Sequence, residues 1–172
     1  MEKYAACEDS FCVRIYGNIQ EEVFIGISDI LEDDFDRLEN ISYDYLNMYQ
    51  TSELFNISGI RVWDILQRIR PLLGDVTYFR FEATDGYETY LIPLRLVEAY
   101  PDDFLIISHI DGTRLLTKEE GGDGPLKSAV CMEAIADDPE MIQLFQDMLP
   151  PGFNHVHNSK FSVKYLNAIY LV

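Results

Sequence analysis

The sequence predicts a single α+β domain: a mixed α/β arrangement with a mostly β core. Three observations carry this. The chain has 172 residues, with 48% hydrophobic and 13% aromatic content, which is one domain's length and enough apolar surface for a sizeable core. Alternating apolar and polar runs bounded by Gly, Pro or Asp-Gly recur roughly eight or nine times, the signature of strands. Only two or three segments have helical spacing. They do not interleave regularly with the strands, which disfavours a doubly wound sheet. No internal repeat or low-complexity tract interrupts residues 1–172, so one ordered domain is expected.

In chain order, FCVRIYG (11–17) alternates and ends on Gly17, a strand and turn. VFIGI (23–27) reads as a second strand, with Ser28 placed to cap a short helical turn. Residues 32–40 form an acidic surface segment, and YDYLNMY (43–49) an aromatic strand. Asn56, Ser58 and Gly59 predict a turn. In IRVWDILQRIR (60–70), Val62, Ile65, Leu66 and Ile69 form an apolar helical stripe, stopped by Pro71 and Gly74. VTYFRFEA (76–83) alternates, and Asp85-Gly86 predicts a hairpin to YETYLIPL. LVEAY (96–100) is a short helix or turn, FLIISHI (104–110) a strand, and Asp111-Gly112 a second turn before TRLL. LKSAVCM predicts another strand. Asp137, Asp138 and Pro139 open a helix whose apolar face is Met141, Ile142, Phe145 and Met148. FSVKYLNAIYLV is the last strand.

The formal net charge is −17. A field of that sign repels phosphate backbones and anionic lipid surfaces, so neither nucleic acid nor membrane is an expected partner. No apolar run approaches the ~20 residues of a membrane span. MEKYAACEDSFCV lacks a signal peptide's basic end and apolar centre. As given, the chain reads as cytoplasmic; a removed leader would make it secreted or periplasmic. Cys7, Cys12 and Cys131 are odd in number, which argues against a disulfide framework and predicts free thiols, with a Cys7–Cys12 pair or metal site the weaker alternative.

Searched by residue type, the chain shows no nucleophile elbow, Walker loop, dinucleotide fingerprint or zinc-protease pattern. No catalytic residue and no metal ligand is predicted. His155 and His157 bracket Val156 but lack a third ligand fixed by spacing, and read as a polar loop pair. His109 reads as a structural histidine in an apolar strand, and Trp63 as a packing residue. EEGGDGPLK (119–127) has the glycines of an anion cradle, but lacks the Gly-Lys-Ser/Thr end of a phosphate loop, and Asp123 would repel an anion.

Taken in order, five pieces resemble a known family. FCVRIYGNIQEEVFIGISDIL, GIRVWDIL, ATDGYETYLIPL, DDFLIISHIDGTRLLTKEEGGDGPLK and FSVKYLNAIYLV are similar to the opening strand and turn, the G-V-x-L-x-D-L-L helix, the S-D-G-Y hairpin, the N-G-x-P-L…G-G-P-L-R run and the terminal S-V-K-W-L of the sulfite-oxidase-type molybdopterin-binding domain. The resemblance runs over residues 11–172, nearly the whole chain. It implies a mixed, sheet-built fold holding a molybdenum–pterin cofactor, with a Cys thiolate on the metal. By this resemblance Lys127, Ser162 and Lys164 are the candidate cofactor-binding residues, placed at the pterin and its phosphate.

The chain departs from that pattern in three places. No cysteine lies between Cys12 and Cys131, so the thiolate's window, 43–58, is vacant. Lys127 stands where the family has Arg, keeping charge but losing the bidentate fork. An acidic helical insertion, 133–158, lies where the family has a shorter loop. The departures predict a stand-alone member of the fold, 1–172, that lacks redox chemistry and serves as a ligand-binding or interaction module. Its expected partner is a small pterin-like ligand or a protein. The alternative is a molybdopterin-dependent oxidoreductase with atypical metal ligation.

Overall fold

The computed structural model describes residues 2–32, 34–153 and 157–172. It is the expected single mixed α/β domain, mostly sheet. Two five-stranded sheets carry it. The first is built from β1 (Cys12–Gly17), β2 (Val23–Gly26), β5 (Tyr78–Ala83), β6 (Ile92–Pro93) and β10 (Leu166–Leu171), in the order β2-β1-β10-β5-β6. The second holds β3 (Arg37–Leu46), β4 (Ser52–Arg61), β7 (Phe104–Ile110), β8 (Thr113–Arg114) and β9 (Lys127–Val130); β7 pairs β4 along one edge and β8 and β9 along the other. The helices are α1 (Ile27–Leu31), α2 (Val62–Arg68), α3 (Leu94–Ala99) and α4 (Pro139–Met148).

Strand alternation sets the layers. In β5, Phe79 and Phe81 point into the core while Tyr78 and Arg80 do not. Val13 and Ile15 of β1, Ile169 and Leu171 of β10, and Ile65 and Leu66 of α2 share the same main cluster, and Ile60, Phe104 and Ile106 reach it from the second sheet. The second sheet is apolar on both faces. Tyr43, Ile57, Leu105, Ile107 and Ala129 form a separate smaller cluster on its other side. That face is where the candidate site lies.

Several sequence expectations need correction. Asn56, Ser58 and Gly59 form no turn; they lie inside β4, and the chain reverses at 47–51 instead. Gly59 is required by closeness rather than by turning: a Cβ there would stand 2.1 Å from the Ile106 carbonyl oxygen of β7. Ser28 does not cap α1. It lies within the helix, and the orphan amides go to two carboxylates: Ser28 N–H to Asp9 at 3.0 Å and Gly26 N–H to Asp29 at 2.9 Å. The segment 32–40 is not wholly a solvated surface, since Phe35 is buried and β3 begins at Arg37.

Of YETYLIPL only Ile92–Pro93 pairs as strand. Before it, Thr89 takes over the ladder: its N–H donates to the Phe81 carbonyl at 3.0 Å, and Phe81 N–H donates to its hydroxyl at 3.1 Å. In α4, Met141 and Phe145 are buried as expected but Ile142 is exposed. The expectation of three free thiols is overturned. The 5–11 bend brings the Cys7 and Cys12 Cα atoms to 5.9 Å and the pair is a disulfide, leaving Cys131 as a free thiol.

Candidate functional site

The second sheet's outer face is only partly covered. Over it lies a cleft of about 280 Å³ whose lining includes Tyr43 and Tyr45 of β3, Phe55 of β4, Ile107 of β7, Asp123 of the glycine loop, and Lys127, Ser162 and Lys164. Three candidates chosen from sequence thus meet in one place. They come from different elements. Lys127 opens β9 opposite Ile107 of β7. Ser162 and Lys164 follow a 3₁₀ turn at Ser159–Phe161 and precede β10, so the last strand begins later than FSVKYLNAIYLV suggests.

Two residues that sequence reasoning missed hold this cleft together. The Asn158 side chain accepts from Leu46 N–H at 2.8 Å and donates to the Asp44 and Val130 carbonyls at 2.9 and 3.0 Å. The Ser128 hydroxyl donates to the Phe161 carbonyl and accepts from Val163 N–H at 2.9 Å. Both are fully buried. Together they fix the chain on either side of Ser162. A polar Asn and Ser among apolar residues was the available signal, but their partner carbonyls lie too far along the chain to be guessed.

The cleft's electrostatics are mixed. Lys164 forms a salt bridge with Asp123 at 3.5 Å. The Lys127 ammonium makes no ion pair or hydrogen bond among the described residues. Burial pulls its pKa below the usual lysine value, Asp123 opposes that, and Lys164 adds to it. The Tyr43 hydroxyl is buried and has no hydrogen bond of normal geometry among the described residues. Burial pushes its pKa up, with the nearby Ser162 hydroxyl opposing. The glycine loop is held tightly: a Cβ at Gly122 would stand 2.4 Å from the Leu116 carbonyl oxygen, and at Gly124 2.7 Å from Leu115 Cβ.

Cys131 packs against the smaller cluster beneath the cleft. Its thiol is pushed up to about 12 by burial, then by Asp103 and Glu133, so it stays protonated at neutral pH. Among the described residues no three His, Cys, Asp or Glu side chains gather as a metal site. His157 lies in a loop but is fully buried there, its ring 5.4 Å from that of Phe145. His155 lies outside the described residues. The His109 Nδ1 is 2.8 Å from both Arg37 and the Ser108 hydroxyl, and burial holds its pKa below the usual value. Trp63 is half-buried against the main core.

No family model and no curated protein matches the chain. Among solved structures, it is similar to the sulfane dehydrogenase SoxCD from Paracoccus pantotrophus, with a TM-score of 0.63 at 13% identity. The match covers 94% of this chain and 38% of that one. At that identity the likeness is one of fold, and the fold is related over nearly the whole chain. The chain therefore spans well under half of that neighbour. No helix among the described residues is long and apolar enough to cross a membrane.

Proposed function

We propose that the chain is a ligand-binding member of this fold without redox chemistry, and that its ligand is a small planar anion of pterin-like size in the Lys127–Ser162–Lys164 cleft. The observation that carries this reading is the half-buried Lys127 ammonium, which lines this cleft with no ion pair or hydrogen bond among the described residues. A half-buried ammonium is costly without a counter-charge. A ligand oxygen beside it supplies one. Tyr45 and Phe55 supply apolar wall for a ring, and Ser162 a further donor.

The donor set does not fit a molybdenum centre. Such a metal calls for a soft thiolate. The cleft lining contains no cysteine, and the one thiol beneath it is held protonated. Asp123, already bridged to Lys164, also competes with any phosphate for that lysine. These features support a site that has kept the cleft and lost the metal.

Molybdenum and pterin content after expression in a molybdenum-competent host tests the reading. Stoichiometric molybdenum would establish the alternative, an oxidoreductase with atypical ligation. For any pterin that co-purifies, Lys127→Ala should weaken binding about tenfold, the loss of one charge-assisted hydrogen bond of roughly 1.5 kcal/mol. Lys164→Ala should weaken it less, because Asp123 already neutralises that cation.

A further inference from the structure

The thirteen Lys and Arg side chains face thirty Asp and Glu, but not all of these cations are ion-paired among the described residues. Lys3, Arg14, Arg61, Arg80, Arg95 and Lys164 are ion-paired. Arg37 and Arg68 are committed to hydrogen bonds with neutral groups. Among the described residues, Arg114 and Lys118 have no carboxylate oxygen within 4.0 Å. Both line a second cavity of about 450 Å³, on the opposite flank of the glycine loop from Lys127, together with Phe11, Thr84, Thr117 and Tyr165.

The carboxylates close to this cavity are mostly turned elsewhere. Glu120 folds back onto the Thr117 N–H at 3.1 Å and the Thr117 hydroxyl at 3.0 Å. Asp123 goes to Lys164 on the other flank. Glu119 is the one carboxylate in the lining, against two cations.

The aromatic wall is built rather than incidental. Tyr165 has φ of 54°, a left-handed conformation that a bulky residue adopts only when its surroundings impose it. Its N–H donates to the Asp123 carbonyl at 2.8 Å, and its carbonyl accepts from Thr84 N–H at 3.1 Å. These bonds hold the ring beneath the Lys118 ammonium, 5.6 Å from its centroid. Gly124 and Pro125 at the base are buried, and the loop's close packing on Leu115 and Leu116 leaves it little freedom.

We propose that this cavity is a second binding site, for a small aromatic ring carrying an oxyanion. The ring lies against Tyr165 and Phe11. The oxyanion meets Arg114 and Lys118, with the Thr84 hydroxyl as a donor. A chain of net charge −17 repels anions at long range. Within the ~8 Å Debye length at physiological salt local charges count most, and there Arg114 and Lys118 stand with Glu119 in the lining and Glu120 near Arg114.

The test is calorimetric titration of the full chain with phenyl phosphate, benzoate, benzyl alcohol and inorganic phosphate. Saturable binding of phenyl phosphate or benzoate is expected, and which of them binds identifies the oxyanion. Benzyl alcohol and inorganic phosphate should each bind at least about fivefold more weakly, since each lacks one half of the recognised group. Arg114→Gln and Lys118→Gln, both at exposed positions that leave the core intact, should each weaken binding about fivefold or more. Lys127→Ala should leave it unchanged, which separates this site from the cleft across the loop. No saturable binding of either aromatic oxyanion at low-millimolar concentration, or binding lost in Lys127→Ala but kept in Arg114→Gln, would overturn the proposal.

Discussion

Asn158 and Leu46 stand 112 residues apart in the chain and hold each other by two hydrogen bonds. Leu46 N–H donates to Asn158 Oδ1 at 2.8 Å, and Asn158 N–H donates to the Leu46 carbonyl at 3.0 Å. The same side-chain amide also reaches Asp44 and Val130. One residue therefore ties the segment bearing Ser162 and Lys164 to β3 and β9.

Asn158→Ala should be among the more damaging single substitutions in this protein. It leaves the Val130 carbonyl without its partner in a buried setting, and the Leu46 N–H and Asp44 carbonyl without theirs at part-buried positions. A stranded buried group costs about 1–3 kcal/mol before relaxation, so a net loss of about 2–3 kcal/mol is expected. Asn158→Asp should be comparably damaging, since it keeps the acceptor for Leu46 but turns a carboxylate against two carbonyls. Urea denaturation of both variants measures this; a midpoint equal to the parent's in Asn158→Ala would show that the clamp carries no load.

This clamp also marks where sequence reading reached its limit. Local signals were legible because their causes are local. The alternation that buries Phe79 and Phe81, and the Asp138–Pro139 start of α4, depend on residues a few positions apart. Lys127, Ser162 and Lys164 were placed by resemblance, and the structure brings them to one cleft. What holds them there depends on partners tens of residues away: Ser128 bonds Phe161 and Val163, and Asn158 bonds Leu46. Gly59 misled for the same reason. A glycine that permits a turn and one that permits strands to approach look alike in sequence, and only Ile106 distinguishes them.

The Cys131 thiol predicts an alkaline loss of stability. Its ordinary pKa of 9.0 is raised to about 12 in the fold, chiefly by burial. An acid raised in this way contributes full stability below its unfolded pKa, and that contribution is lost as pH rises through the folded value. The window is therefore from about pH 9 to about pH 12. Tyrosines and lysines titrate there too, so the informative quantity is the difference between the parent and Cys131→Ala. Measured by urea denaturation, that difference should shrink steadily across the window. In the folded protein at neutral pH, Cys131 should also alkylate far more slowly than after unfolding.

Thiol counting tests the Cys7–Cys12 link. Denatured without reductant, the chain should present one reactive thiol, and three after reduction. The bridge closes a short loop, so chain entropy gives it only about 2 kcal/mol. The double substitution Cys7→Ser with Cys12→Ser should cost that much and no more. Tyr4, buried and bonded through its hydroxyl to Arg68 at 2.9 Å, provides a second anchor for the N-terminal segment. Three thiols in the oxidised, denatured chain would contradict the pairing.

Asp138 has two tasks at the start of α4, and they can be separated. Its carboxylate caps the helix, accepting from Glu140 N–H at 3.0 Å and Met141 N–H at 3.1 Å. It also takes a bidentate bond from Arg95 at 2.8 and 3.0 Å. Arg95, foremost, and the two amides hold its pKa below the ordinary 3.8. A depressed carboxyl stabilises above its ordinary pKa, and the contribution is lost as pH falls through the folded value. Acid should therefore loosen this helix, and with it Met141 and Phe145 from the core. Asp138→Ala removes both tasks and should cost about 1–2 kcal/mol. Asp138→Asn keeps an acceptor for the cap and loses only the exposed ion pair, so it should cost less than about 1 kcal/mol. Combined with Arg95→Ala, the Asn variant should lose only what the Arg95–Glu140 bridge at 2.8 Å contributes, whereas the parent should lose the Asp138 bridge as well. Equal destabilisation by Ala and Asn would mean that the Arg95 bridge, not the cap, sustains α4.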